Sequence, residues 1–126
     1  MSQTRSDTPG DWHLTLEHAR ATPVPAGERS ALLMQHGSMH VHLYAPRARD
    51  DQQPHDQDEV YVIASGSGWF VNGDHRHRFG TGDVLFVPAG RIHRFEELSA
   101  DFSTWVVFYG PIGAETESGA NTGGQP

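Results

Sequence analysis

The stretch GDVLFVPAGRIHRFEE, residues 82–97, carries the turn and strand signals that determine the fold. A Gly-Asp pair begins it, and Pro88 and Gly90 follow its apolar centre. Glycine supplies positive φ angles and proline fixes its own φ, so both ends of the stretch are predicted to be turns. The short apolar run between them is typical of a buried strand. We therefore expect His93 to project from just beyond the end of that strand.

The rest of the chain also alternates between short apolar runs and turn residues. MHVHLYAP has a period of two, EVYVIAS is a β-branched run stopped by glycines, and FSTWVVFYGP ends in Gly-Pro. Asn72-Gly73, between strand-like flanks, is the strongest hairpin signal in the chain. LTLEHARATPVPAG is predicted to be a strand or turn followed by an extended segment. The chain is therefore predicted to be all-β, a closed or sandwich-like barrel of two antiparallel sheets.

The composition excludes several classes of function. The net charge of −7 argues against binding to nucleic acid, because phosphates would repel such a surface. The chain has no cysteine, which excludes disulfides and thiolate metal sites, and no lysine, which excludes Schiff-base chemistry. No apolar run is long enough to span a membrane, and we expect the protein to be cytoplasmic. Nine histidines are an unusual number for 126 residues.

The two ends of the chain differ in composition from its centre. Residues 1–10 and residues 113–126 are rich in polar and small residues and have little to bury, so they are predicted to be disordered. The folded domain is predicted to span residues 11–112, a length that can form one hydrophobic core.

Two motifs resemble those of a known family. In HDQDEVYVIASG, His55, Glu59 and Gly66 keep the His-x3-Glu-x6-Gly part of the first cupin motif. Residues 82–97 match the second motif, with the spacing Gly-x5-Pro-x-Gly-x2-His. The sequence therefore resembles a small single-domain cupin of the type-2 class over roughly residues 30–110. The resemblance implies a cupin-type double-stranded β-helix, which is a jelly-roll barrel.

The same resemblance implies a metal site. His55, Glu59 and His93 are its expected ligands, and Gln53 occupies the position where the usual His-x-His pair begins, as a candidate fourth ligand. Two imidazoles and one carboxylate form a set that leaves open positions on the ion and is typical of non-haem iron. Imidazole also suits zinc and nickel, and the carboxylate admits manganese. We expect one divalent transition metal ion (Fe, Mn, Zn or Ni).

Other polar residues have alternative interpretations. His75 and His77 form a literal His-x-His, but the alternating charges around them predict an exposed hairpin strand. His42 lines the substrate pocket if its strand face points inward, and lies on the surface if it does not. Tyr61 and Ile63 have the same parity as Glu59, which favours a position in the pocket. A purely structural barrel-lining role for Tyr61 is the alternative.

Three functions are compatible with these features. The first is a metal-dependent enzyme, an oxygenase or isomerase, that acts on a small organic molecule in the barrel. The second is a non-catalytic module that binds a small molecule, and the third is a protein that keeps the barrel and works through its surfaces. A homodimer is expected from the resemblance and from the strand edges and apolar sheet faces that a short barrel exposes.

Overall fold

The computed structural model describes residues 12–46 and 54–113 of the chain. The two terminal segments predicted to be disordered lie outside this part, except for Gly113. One short helix precedes eight strands. The elements are α1 (Leu16–Ala21), β1 (Ala31–His36), β2 (Met39–Tyr44), β3 (Asp58–Ser65), β4 (Gly68–Asn72), β5 (His75–Phe79), β6 (Val84–Val87), β7 (His93–Glu96) and β8 (Ser103–Tyr109).

The strands form two antiparallel sheets, which confirms the predicted fold class. The larger sheet has the order β1-β2-β8-β3-β6, and the smaller sheet has the order β5-β4-β7. No strand pair joins the two sheets in the described part of the chain, so they face each other like a sandwich. The barrel is held together by the side chains between the sheets.

Phe95 lies at the centre of the core between the sheets. Its ring centroid is 4.9 Å from that of Tyr61 on the larger sheet and 4.8 Å from that of Phe70 on the smaller one. Phe79 and Phe102 pack on its other sides, at 5.4 and 4.9 Å. Edge-on and tilted aromatic pairs of this kind add attraction beyond the area that they bury. Phe95 therefore fixes how the two sheets sit on each other.

The helix α1 contradicts the prediction of a strand or turn in this region. Thr15 is its N-cap, and the Thr15 side-chain oxygen accepts a hydrogen bond from the backbone N–H of His18 at 3.0 Å. A Thr cap satisfies an N–H that would otherwise lack a partner, and this favours one short helix before Pro23. None of the described residues forms a helix with the length and apolar character needed to cross a membrane.

The predicted hairpin is present, but its turn lies one residue later than Asn72-Gly73. Asn72 is the last residue of β4 and pairs with His75, so the two-residue turn is Gly73-Asp74. Gly73 has a φ of 61°, which a glycine adopts without strain. The shift keeps the Asn72 side chain within the sheet instead of at the tip of the turn.

Gly66 is required where the chain passes from β3 to β4. Its φ is 88°, and a Cβ atom at this position would lie 2.6 Å from the Cα atom of Phe102. Backbone atoms cannot give way as a flexible side chain can. Gly82 has a similar φ of 92°, but no atom lies within 4 Å of the place where its Cβ would be. A side chain at Gly82 would therefore introduce backbone strain alone, whereas a side chain at Gly66 would introduce backbone strain and a steric overlap.

We predict that Gly66→Ala destabilises the protein by about 2 to 5 kcal/mol, through a strained φ and an overpacked contact. The matched control Gly82→Ala has the strained φ alone and should cost about 1 to 2 kcal/mol. Urea unfolding of both variants measures the difference. Equal costs for the two variants would show that the contact between Gly66 and Phe102 relaxes without penalty.

Candidate metal centre

Glu59 lies on the inner face of the larger sheet and is completely buried. It pairs with Val87 of β6 on one side and with Phe108 of β8 on the other. Tyr61 and Ile63, the next two residues of β3 with the same parity, are buried on the same face. A carboxylate in this position is surrounded by apolar and aromatic side chains, so its charge requires a partner.

His93 is the first residue of β7, and its ring orientation is set by the backbone. Its Nδ1 atom lies 2.9 Å from the carbonyl oxygen of Arg91. A carbonyl can only accept, so Nδ1 carries the proton, and Nε2 of the neutral ring presents a lone pair. Nε2 lies 3.1 Å from Oε1 of Glu59. Two acceptor atoms this close need a proton or a cation between them.

His55 belongs to the segment that leads into β3. Its Nε2 atom is 3.8 Å from Oε1 of Glu59, on the side where His55 is partly exposed. Its carbonyl oxygen accepts a hydrogen bond from the N–H of Gly90 at 2.8 Å. The Ala89 N–H donates to the carboxylate of Asp58, also at 2.8 Å. The turn that precedes His93 is thus bonded directly to the segment that carries His55.

These three side chains form a cluster that could hold a metal ion. Each offers one ligand atom, and these atoms all lie within 4.8 Å of one another. Within the described part of the chain, neither carboxylate oxygen of Glu59 has a hydrogen-bond partner. A buried carboxylate that faces two imidazoles fits a divalent cation well, because the cation would balance the charge and use the lone pairs.

The electrostatic environment favours the metal-binding form of His55. Burial lowers the pKa of His55 below its ordinary value of 6.5, the Glu59 carboxylate raises it in part, and His93 lowers it further. The net shift is downward, so the ring is neutral at neutral pH. Only a neutral imidazole can donate its lone pair to a metal.

The His-x-His pair of the hairpin is not part of this cluster. Gln53 is outside the described residues. His75 and His77 are exposed on β5, as predicted, and neither belongs to the cluster. The ring of His77 packs against the edge of Phe70 at a centroid distance of 6.1 Å.

His42 lies on the inner face, which answers a question that the sequence left open. It pairs with Val106, which in turn pairs with Tyr61, and residues opposite each other in a sheet project to the same side. Its Nδ1 atom is 2.9 Å from the hydroxyl of Ser30. Burial lowers the pKa of His42, and the neighbouring His40 lowers it further.

Phe108 connects His42 to the metal cluster. Its ring packs edge-on to His42 at a centroid distance of 5.5 Å and to His55 at 4.9 Å. Neither Phe108 nor Ser30 lies in the two motifs that predicted the site. The alternation of side chains along β8 indicates that Phe108 lies on the same face as Glu59 only when the pairing of β8 with β2 and β3 is known.

A wide groove of about 790 Å³ lies elsewhere on the molecule. It runs between α1, the first two strands and residues 98–103, and Arg20 and Asp101 are among its lining residues. None of the three cluster residues lines it. The cluster is therefore a site separate from this groove.

Comparison with known proteins identifies close similarities. The family model Cupin_2, described as a cupin domain, matches residues 40–109, which is more than half of the chain. An uncharacterised protein from Streptomyces coelicolor is 42% identical over 76 residues, which cover 59% of this chain and 72% of that protein. All three cluster residues lie within the range that the family model matches.

Two solved structures show the same architecture. An RmlC-like cupin family protein with a double-stranded β-helix fold, from Methanocaldococcus jannaschii, has a TM-score of 0.54 at 14% identity, over 68% of this chain and 85% of that one. A proposed mannose-6-phosphate isomerase from Ralstonia eutropha has a TM-score of 0.53 at 22% identity, over 69% and 88%. Likeness at these identities establishes the double-stranded β-helix fold.

We predict that the affinity of the centre for Co²⁺ is level near neutral pH and falls only below about pH 6.5. The sign follows from the lowered pKa of His55, because protons then compete with the metal only in more acidic solution. Calorimetric titration from about pH 8 to about pH 5 measures this dependence, with free imidazole as the reference for an unshifted pKa. Affinity that already declines between about pH 8 and pH 7 would contradict the shift.

Proposed function

Because the chain belongs to the Cupin_2 family of cupin domains, we propose that it is a metal-dependent enzyme acting on a small organic molecule in the barrel. One divalent transition metal ion (Fe, Mn, Zn or Ni) is held by His55, Glu59 and His93, with Gln53 as a candidate fourth ligand. The observation that carries the proposal is the buried Glu59 carboxylate, which faces two imidazole nitrogens at 3.1 and 3.8 Å. The positions of these three ligand atoms fit a bound cation better than an ion pair between Glu59 and a protonated histidine.

The side chains around the metal set have distinct roles in this proposal. When bound, the ion acts as a Lewis acid that orients and polarises the substrate or activates oxygen. His42, held by Ser30 through Nδ1, keeps its Nε2 available to a substrate group at the edge of the pocket. Tyr61 and Ile63 lie on the same inner face as Glu59 but are buried in the hydrophobic core, so they would form the floor of the pocket. Phe108 supplies an apolar wall between His42 and His55.

The reaction is of the oxygenase or isomerase type. Two histidines and one carboxylate leave coordination positions open, as oxygen-activating iron sites require. The proposed isomerase from Ralstonia eutropha, which shares the fold, supports the second possibility. The alternative function is a non-catalytic module that captures a small molecule in the same pocket, since a cupin barrel by itself does not determine chemistry.

The metal proposal predicts one ion per chain in purified protein, removed by a chelator and restored by adding metal. His55→Ala, Glu59→Gln and His93→Ala should each lower the affinity by more than the roughly 10- to 100-fold that loss of an outer partner costs. The double variant His75→Ala/His77→Ala is the matched control, because it removes two exposed imidazoles. Elemental analysis and calorimetric titration give stoichiometry and affinity.

The outcomes separate the alternatives. Loss of metal in the control with retention in the other variants would show that the site lies on the hairpin instead. Turnover is tested by oxygen consumption and by sugar isomerisation, each with loaded and stripped protein. Metal-dependent ligand binding without turnover of the bound compound would favour the non-catalytic module.

We also propose that two copies form a dimer through the outer face of the larger sheet. Two rows of residues cross this face, and the register makes both of them apolar. The rows are Phe86, Val60, Val107, Val41 and Met34, and Val84, Val62, Trp105, Leu43 and Ala31. Neither row contains a charge, so the face can meet a copy of itself although the chain carries a net charge of −7. Val84 and Phe86 are 64% and 48% exposed, which favours a partner that covers them.

We predict a sedimentation mass twice that of the 13.9 kDa chain at micromolar concentration. Phe86→Glu should shift the protein to the monomer, because it would place a charge in a desolvated contact. The control Trp12→Glu changes another exposed apolar residue, outside the sheet, and should leave the dimer intact. A wild-type mass near that of one chain would refute the dimer.

Two further expectations remain predictions. The chain is proposed to work in the cytoplasm, and it is not expected to bind nucleic acid or membranes, because its net charge is strongly negative. A small-molecule substrate in the barrel is the partner that this proposal requires.

A further inference from the structure

Asn72 places a polar atom on the inner face of the smaller sheet. It pairs directly with His93 across β4 and β7, so the two side chains project to the same side and lie next to each other. Its amide Nδ2 donates a hydrogen bond to the carbonyl oxygen of Phe86 at 2.9 Å. This bond fixes which end of the amide is nitrogen, because a carbonyl accepts only from a donor.

Asn72 lies close in the fold to two of the three cluster residues, His93 and Glu59. On one side it is the neighbour of His93. On the other side its amide contacts the backbone of β6 at Phe86, and the next residue of β6, Val87, pairs with Glu59. Asn72 therefore bridges the gap between the two sheets at the level of the metal cluster, although it lies in neither family motif.

The remaining atom of the Asn72 amide, Oδ1, is buried. Within the described residues it has no hydrogen-bond partner, a condition that it shares with the two carboxylate oxygens of Glu59. Buried polar atoms without a partner are rare, and each one in a native structure calls for a bound group or a water that satisfies it. For Glu59 the proposed metal is that group. Oδ1 of Asn72 is a neutral acceptor, and a hydrogen-bond donor would satisfy it.

We infer that Asn72 is a positioning residue of the metal centre. Its Oδ1 atom accepts a hydrogen bond from an O–H group, a water or a substrate hydroxyl, that completes the coordination of the ion beside His93. This inference rests on the proposed metal site. It assigns a function to a residue that the motifs do not include, and it predicts that Asn72 influences the ligand field of the metal as well as its affinity.

The test is a titration of the stripped protein with Co²⁺, followed by visible absorption. We expect Asn72→Ala to bind one ion with an affinity roughly 10- to 100-fold lower than the wild type, the loss typical of an outer partner. Its d–d bands should move. Asn72→Asp keeps an acceptor oxygen and adds a negative charge, so it should bind at least as tightly as the wild type and also show altered bands. Thr81→Ala, which removes one exposed hydrogen bond to Gly66, is the control and should leave the bands unchanged.

A purely structural role gives a different pattern. If Asn72 only ties β4 to β6, both Asn72 variants lose the bond to Phe86 and become less stable, but their Co²⁺ spectra match the wild type. That result would overturn the inference. If Asn72→Ala does not fold, an unchanged spectrum of Asn72→Asp would overturn it alone. Failure of the wild type to bind Co²⁺ would instead refute the proposed metal site.

A further experiment distinguishes a substrate hydroxyl from water as the partner of Oδ1. The spectra are repeated with added polyols, which should shift the bands only if the partner is a substrate hydroxyl.

Discussion

The carboxylate of Glu59 is the group that the surrounding structure has to accommodate. Moving a charge from water into an apolar interior is costly, and it is tolerated only where opposite charge or hydrogen bonds compensate it. Here two imidazoles approach the carboxylate from different parts of the chain, at 3.1 Å for His93 and 3.8 Å for His55, and present ring nitrogens to it. The Nδ1–H of His93 is already used by the carbonyl of Arg91, so a cation is the natural completion of the site. Replacing a buried ion pair by apolar side chains is often neutral or stabilising, so stability alone does not explain a glutamate at position 59.

Two local contacts hold this arrangement in place. The N–H of Gly90 donates to the carbonyl of His55, which couples the segment that carries one ligand to the turn that carries the other. Phe95, two residues after His93 on β7, packs against rings from both sheets and sets their distance. Since no strand pair closes the barrel in the part that the structure describes, the metal centre depends on side-chain packing for its geometry. A shift of Phe95 would move His93 relative to Glu59.

The residues of the candidate metal centre could be predicted from the sequence, but most of the structure around them could not. The cluster of His55, Glu59 and His93 could be predicted because the turn residues and spacings that place these side chains are local. The strand β1 was not predicted, because ALLMQH lacks a period of two. The helix α1 was not predicted, because its apolar periodicity is weak and the helix depends on the cap that Thr15 provides. The inward direction of His42 depends on pairing between β2 and β8, which are about sixty residues apart, and local patterns do not encode such a register. The one-residue shift of the turn after Asn72 has the same origin, since alternative registers of a hairpin look alike in sequence.

The three cluster residues and the side chains around them contribute differently to the chemistry of the site. His55, Glu59 and His93 follow the family motifs and could hold an ion, but a barrel with these residues can serve many reactions. The side chains that distinguish one reaction from another must come from the strands around them. The candidates in this chain are the Ser30-bound imidazole of His42 on β2 and the amide of Asn72 on β4. They approach the cluster from opposite sheets, so a ligand on the metal would meet a neutral imidazole on one side and a neutral amide oxygen on the other. Because the pKa of His42 is lowered and an amide is neutral, a substrate recognised by hydroxyl or carbonyl groups would suit these two side chains better than one recognised by its net charge.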